Sequence, residues 1–231
     1  MSDTEFDTAL VTAAFRIAGE QGWRHVDVVA AAREAGLSLA EARARFPSRA
    51  AILLRFGRLA DQAALMDAST DGSVRDRLFD LLMRRFDVMQ THRAGVQTLL
   101  RFLPTHPSAA LLVGCATKRS MRWMLQAAGV GATGPRGEVR VRGLLAVWLW
   151  GVRAWDRDDS EDLSGTMTAV DVALQRAEQV ASWLHGQASP APPSPPVSEG
   201  AGELDPSSPP QATQPPPPGP GEDPPLPEPA T

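Results

Sequence analysis

Seventeen of the chain's 21 prolines lie within residues 187–231, and that uneven placement decides where a packed fold can form. Proline lacks the amide proton that helices and sheet ladders need. The same stretch carries six acids, Glu199, Glu203, Asp205, Glu222, Asp223 and Glu228, and no Lys or Arg. It cannot bury apolar surface, so it is predicted to be a disordered or polyproline-like acidic tail. Pro215 to Pro218 is a short polyproline run where a partner domain could dock, although a solvated extension is the simpler reading. Without the tail, 186 residues carry 23 basic and 21 acidic side chains, so the formal charge of −4 belongs to the tail and the body is near +2.

The body reads as helix throughout. Period-two runs of β-branched residues are absent, and apolar residues recur at three- and four-residue spacing. Phe6, Leu10, Ala13, Ala14 and Ile17 share one face of a helix over 5–21, stopped by Gly22. Short helices are predicted over 27–34 and 39–45, the second capped by Ser38, and Pro47-Ser48 restarts a long helix to 66. Asp71-Gly72-Ser73 separates these from helices over 74–90, 92–103 and 108–128. A loop over 129–135 and helices over 138–155 and 161–183 complete an all-α chain, divided at 1–55, 56–186 and 187–231.

Several functions are excluded by what is missing. One cysteine, Cys115, rules out a disulfide framework and a multi-cysteine zinc site; its neighbours Leu111, Leu112 and Val113 predict that it is buried. His25, His92, His106 and His185 have no acid or cysteine at ligand spacing, so no metal is expected. Gly129-Val130-Gly131-Ala132-Thr133-Gly134 spells a dinucleotide fingerprint, but a helix precedes it where a strand is required, and a loop is the better account. No nucleophile, base and orienter are set together, so neither catalysis nor a cofactor is expected. No apolar run nears the roughly 20 residues that span a bilayer. The N-terminus is acidic where a secretory signal is basic, so a cytoplasmic protein is expected.

Residues 26–45 have the pattern of a helix-turn-helix (HTH). Ala35-Gly36-Leu37-Ser38 would form the turn, with Gly36 relieving the tight backbone, Leu37 plugging the angle and Ala31 and Ala32 allowing close approach. The second helix is the one such a unit presents to a major groove. From Gly22-Trp23-Arg24-His25-Val26-Asp27-Val28, through that turn, to Phe46-Pro47-Ser48-Arg49-Ala50-Ala51-Ile52-Leu53, the chain resembles the TetR family of one-component transcriptional regulators, with no gap in spacing. The resemblance implies a TetR-like fold, with a three-helix HTH unit followed by a helical-bundle effector and dimerisation domain. It also implies a homodimer that binds a double-stranded DNA operator under the control of a small apolar effector. Ser38, Leu39, Arg43 and Arg45 match groove positions, and Arg24 and Arg49 match phosphate positions.

This sequence departs from the family pattern in places. Val26 and Asp27 stand where Thr or Ser usually opens helix two, and the recognition helix reads Leu39-Ala40-Glu41-Ala42-Arg43-Ala44-Arg45-Phe46. Glu41 sets a negative charge where phosphates pass, offset in part by Arg43 and Arg45. Residues 1–60 hold eight Arg against seven acids, a weaker balance than dedicated DNA binders carry. A second stretch, Leu145 to Trp148 through Trp155-Asp156-Arg157-Asp158-Asp159-Ser160 to Thr166 and Asp171, is similar to the C-terminal region of coenzyme Q biosynthesis accessory proteins. Those share the TetR-like fold and bind lipid. The similarity implies an alternative, a lipid- or quinone-precursor-binding accessory protein of ubiquinone biosynthesis without DNA binding. The same turn also reads as a capped helix boundary.

Met83, Phe86, Met89, Leu99, Phe102, Met121, Trp123 and Met124 are candidates for an apolar effector or lipid pocket, or equally for core filling. Trp148 and Trp155 are seven apart and share a helix face, whereas Trp150 lies on the other side. That helix is therefore expected to be buried on both sides, by the core and by a second subunit. Trp148, Trp155, Met167, Leu174 and Trp183 are the expected dimer contacts, or else ordinary core of a monomer.

Overall fold

A computed structural model describes residues 1–66, 68 and 70–187, with side chains to Ser182; the Trp183 side chain and the predicted tail over 188–231 lie outside the described residues. Helix α1 (Asp3–Gln21) opens with a closed capping box, in which the Ser2 hydroxyl accepts from the Glu5 amide and the Glu5 carboxylate accepts from the Ser2 amide. Phe6, Leu10, Ala14, Phe15 and Ala18 are buried along it, and Gly22, at φ 89°, ends it. A 3-10 turn, Trp23–His25, leads to α2 (Val28–Glu34). Asp27 caps α2 by accepting from the Ala30 amide at 2.7 Å, so it does the work of the hydroxyl residue expected there. Helices α3 (Leu39–Arg45) and α4 (Arg49–Leu65) follow.

The body comprises α5 (Val74–Thr91), α6 (Arg93–Phe102), α7 (Pro107–Ala127), α8 (Gly134–Trp155) and α9 (Ser164–Gln187). All regular structure among the described residues is helical, and these residues form one compact unit. Two glycines mark close helix contacts. A Cβ on Gly95 would lie 2.3 Å from the Phe15 carbonyl oxygen, so α6 rests on the α1 backbone; Thr98 Oγ1 donates to the Ala18 carbonyl at 3.0 Å beside it. A Cβ on Gly151 would lie 2.9 Å from both Phe86 and Val170, where α8 nests against α5 and α9. Trp155 is wholly buried on the same helix and donates its Nε1 proton to Gln90 at 3.0 Å. Burying one such side chain contributes on the order of 2–3 kcal/mol.

Helix α4 joins the two regions. Ile52 and Leu53 are buried near its start, and Asp61 further along accepts from Arg85 of α5 and from Ser120 of α7, the latter at 2.5 Å. Arg85 is buried, with its guanidinium 4.8 Å from the Trp148 ring centre. Burial raises the Asp61 pKa against the opposing effects of Arg85 and Ser120, and burial lowers that of Arg85.

Four local expectations are corrected. Helix α7 starts at Pro107 rather than 108; proline suits a first turn, where its missing amide proton costs nothing. Helix α8 starts at Gly134, four residues early, because Pro135 likewise fits its first turn. Helix α9 starts at Ser164 rather than 161, since Asp158, Ser160 and Asp162 hold a longer turn in front of it. Cys115 is exposed, because the buried residues of α7 all fall in its second half, from Ser120 to Leu125.

Candidate nucleic-acid interface

The turn between α2 and α3 forms as its residues require. Gly36 sits at φ 64°, a left-handed conformation that side chains with a Cβ resist. The Leu37 amide donates to the Ala32 carbonyl at 2.8 Å, and the Leu37 side chain packs on the core. Ser38 caps α3 by accepting from the Glu41 amide at 3.4 Å. Ala42 is the only fully buried residue of α3, while Leu39, Ala40, Glu41, Arg43 and Ala44 are exposed. The helix therefore lies on the surface. A shallow groove of about 340 Å³ runs between α2 and α3, lined in part by Val28, Val29, Leu39 and Arg43.

The cations are less available than their positions imply. Arg45, expected at the groove, is bonded to α1: Nε donates to Asp7 Oδ1 at 2.7 Å, Nη2 donates to the Asp3 carbonyl at 2.9 Å, and Nη1 pairs with the Asp3 carboxylate at 2.7 Å. The hydrogen bond to Asp7 raises the Arg45 pKa against desolvation, and the group stays charged and committed to α1. Asp7 is buried and also pairs with Arg55 of α4 at 2.6 Å, so one carboxylate fastens both α3 and α4 to α1. Arg49, expected at a phosphate, donates its Nη1 proton to the Trp23 carbonyl at 3.2 Å and lies 5.4 Å over the Phe102 ring. Arg43 is exposed and donates to the Pro47 carbonyl at 2.8 Å; Arg24 is exposed in the 3-10 turn. Arg33, which the sequence reading did not single out, is exposed in the last turn of α2 beside the turn.

The eight candidate pocket residues do not line one cavity. Phe86, Met89, Leu99, Phe102, Met121 and Met124 are packed into the core, and Trp123 stands 60% exposed on α7. Met83 instead lines an open groove of about 550 Å³ between α5 and the α8–α9 turn. Phe79, Leu163 and Met167 supply its other apolar walls, and Asp87, Glu161 and Asp162 its acids.

The expected dimer residues also divide. Trp148, Trp155 and Leu174 are buried within the chain itself, because Trp148 stacks on Phe86 and Trp155 is held by Gln90. The side of α8 that faces outward carries Val139, Leu149 and Trp150, the last 53% exposed, with Gly143 and Ala146 between them; Met167 is exposed on α9.

The turn that carried the second resemblance has a structural account. Asp158 accepts from the Ser160 hydroxyl at 2.5 Å and from the Thr166 hydroxyl and amide at 2.7 and 2.6 Å. Burial opposes its ionisation, but these bonds outweigh that and lower its pKa to about 2. Among the described residues, no cluster of three or more His, Cys, Asp or Glu side chains could hold a metal, and no helix is long and apolar enough to cross a membrane.

No protein-family model matches the sequence, and no curated protein matches it. Solved structures do match the fold. A TetR transcriptional regulator from Nitrosomonas europaea ATCC 19718 superposes with TM-score 0.63 at 21% identity, over 76% of this chain and 99% of that one. A TetR-family regulator from Streptomyces coelicolor gives 0.53 at 18% identity, over 78% and 88%. A TetR regulator from Rhodococcus sp. RHA1 gives 0.52 at 16% identity, over 76% and 97%. The chain has the all-α TetR fold, with its HTH at the N-terminus and a helical body behind it.

Proposed function

We propose that the chain is a TetR-like one-component transcriptional regulator, a homodimer that binds operator DNA through α3 under the control of a small apolar effector. One observation carries this reading: α3 is capped, buried only at Ala42, and set outward beside exposed Arg24, Arg33 and Arg43. Residues 1–55 would be the DNA-binding unit and 56–186 the effector and dimerisation unit. Ser38, Leu39 and Arg43 would meet the groove, and Arg24 and Arg33 the phosphates.

Regulation would run through α4. An apolar effector in the Met83 groove leans on α5, and α5 holds α4 by the Arg85–Asp61 pair. Moving α4 changes the separation of the two HTH units in a dimer, and only one separation suits half-sites a helical turn apart. The outward face of α8, with Leu149 and Trp150, would meet its copy in the second subunit.

Selection of duplexes from a random pool, followed by affinity measurement at several salt concentrations, tests the reading. Two phosphate-facing arginines per subunit predict a log–log salt slope of about −4 for a dimer. Arg43→Ala should abolish preference for the selected duplex. An unchanged preference would remove the assignment of α3. Glu41 and the withdrawal of Arg45 favour the second reading, a lipid- or quinone-precursor-binding accessory protein. Co-purification of an isoprenoid lipid in native mass spectrometry, with no duplex selected, would establish that reading instead.

A further inference from the structure

Glu41 lies in the first turn of α3, where an acid suits the helix dipole, yet among the described residues its carboxylate makes neither an ion pair nor a hydrogen bond. Its position, three residues after Ser38, completes the Ser-x-x-Glu pattern of a capping box. Among the described residues two capping boxes close, one with Glu and one with Asp at the third helical position: the Glu5 carboxylate accepts from the Ser2 amide at 2.7 Å, and the Asp76 carboxylate accepts from the Ser73 amide at 3.1 Å. At α3 only half the box forms. The Glu41 amide is bonded to Ser38, but no return bond runs from the Ser38 amide to the Glu41 carboxylate. Glu41 and Arg45 also have the i, i+4 spacing that favours an ion pair on a helix. Arg45 spends all three of its nitrogens on Asp3 and Asp7 instead. The carboxylate is left exposed.

The face around it has a definite layout. At about 100° per residue, Ala40 and Ala44 lie opposite the buried Ala42, at the centre of the outward side. Glu41 flanks them on one edge and Arg43 on the other, about 80° from the centre. Two alanines at the centre let the helix approach a groove floor closely and can contact thymine methyl groups. A carboxylate beside them is repelled by phosphates, and is favourable only where a base edge offers a hydrogen-bond donor. The cytosine amino group at N4 is that donor, the pairing that carboxylates make in a major groove.

Resting on the operator-binding reading above, we infer that Glu41 is a specificity-determining residue that selects a C·G pair in each half-site by accepting a hydrogen bond from cytosine N4. Arg43 on the opposite edge supplies the second polar contact, and Ala40 and Ala44 fit between. Glu41 therefore lowers affinity for DNA in general while favouring one sequence.

Duplex selection with the full chain and with Glu41→Gln and Glu41→Ala tests the inference, and the exposure of Glu41 keeps both variants folded. The wild type should select a half-site with one fixed C·G pair. Glu41→Gln should move that position towards A·T, because an amide pairs with both adenine N6 and N7. Glu41→Ala should lose preference at that position alone, with about a ten-fold loss on the selected duplex and tighter binding to random duplex. If both variants select the wild-type sequence, or Glu41→Ala binds the selected duplex more tightly, the inference is overturned and operator binding stands. If the wild type selects nothing, operator binding fails and this inference goes with it.

Discussion

Arg45 Nε donates to Asp7 Oδ1 at 2.7 Å, a bond that spans 38 residues of sequence and clamps α3 to α1. Asp7 is the hub, because Arg55 of α4 pairs with its other oxygen at 2.6 Å. Asp7→Ala strands two cations at once, and removing a buried partner in this way costs about 3 kcal/mol. The melting temperature should fall by about 6–12 °C, read by circular dichroism. Arg45→Ala leaves Asp7 with Arg55 and should lower it by less than half as much. Equal losses in the two variants would show that Asp7 is not the hub.

The path of the chain was legible because helices advertise themselves by period, cap and stop. Gly22, Gly36 and Ser38 all act where their chemistry predicts. Side-chain direction was not legible. Trp148 and Trp155 were correctly placed on one face of α8, but periodicity cannot tell which face meets the core, and the inward one proved to be theirs. The bond between Arg45 and Asp7 was not legible either, because the two residues are remote in sequence. The methionines of the body looked like pocket walls because a thioether suits a cavity and a core equally.

Glycine substitutions should separate tight helix contacts from open ones. A Cβ added at Gly57 in α4 or at Gly114 in α7 would meet nothing within 4 Å, so alanine there gains helix propensity, about 0.5–1 kcal/mol each. Gly95→Ala forces a Cβ to within 2.3 Å of the Phe15 carbonyl oxygen, a backbone atom that cannot swing away. That overpacking should cost about 2 kcal/mol or more and loosen α6 from α1. Urea midpoints that rise for the first two variants and fall for the third are the expected result. A neutral Gly95→Ala would mean that α6 stands off from α1.

Asp158 should set part of the acid sensitivity of the fold. Its pKa is lowered from 3.8 to about 2, so the charged form is favoured by folding. The resulting stability is present above the unfolded value and is lost as pH falls from about 4 towards 2. Asp158→Asn should therefore be less stable than the wild type at neutral pH, by roughly 1 kcal/mol after allowance for partial exposure. The gap should close as the pH falls through that window, measured by urea unfolding at each pH. A gap that stays constant across the window would show that ionisation of Asp158 plays no part.

The outward face of α8 should report on subunit assembly without disturbing the fold. Leu149 and Trp150 are each more than half exposed, and they lie next to exposed Ala146 and Gly143, which let a second helix come close. Trp148, two residues away from Trp150, is stacked on Phe86 and sealed in the core. Leu149→Asp with Trp150→Asp places two charges on a surface that a partner helix would desolvate, so the dimer should dissociate to monomers in sedimentation velocity. The helical circular dichroism spectrum should be retained, because neither side chain packs inside the subunit. Trp148→Ala should do the reverse, costing about 3–5 kcal/mol of stability by opening a cavity beside Arg85 while leaving the outward face intact. A double variant that sediments as the wild type does would move the subunit contact away from α8.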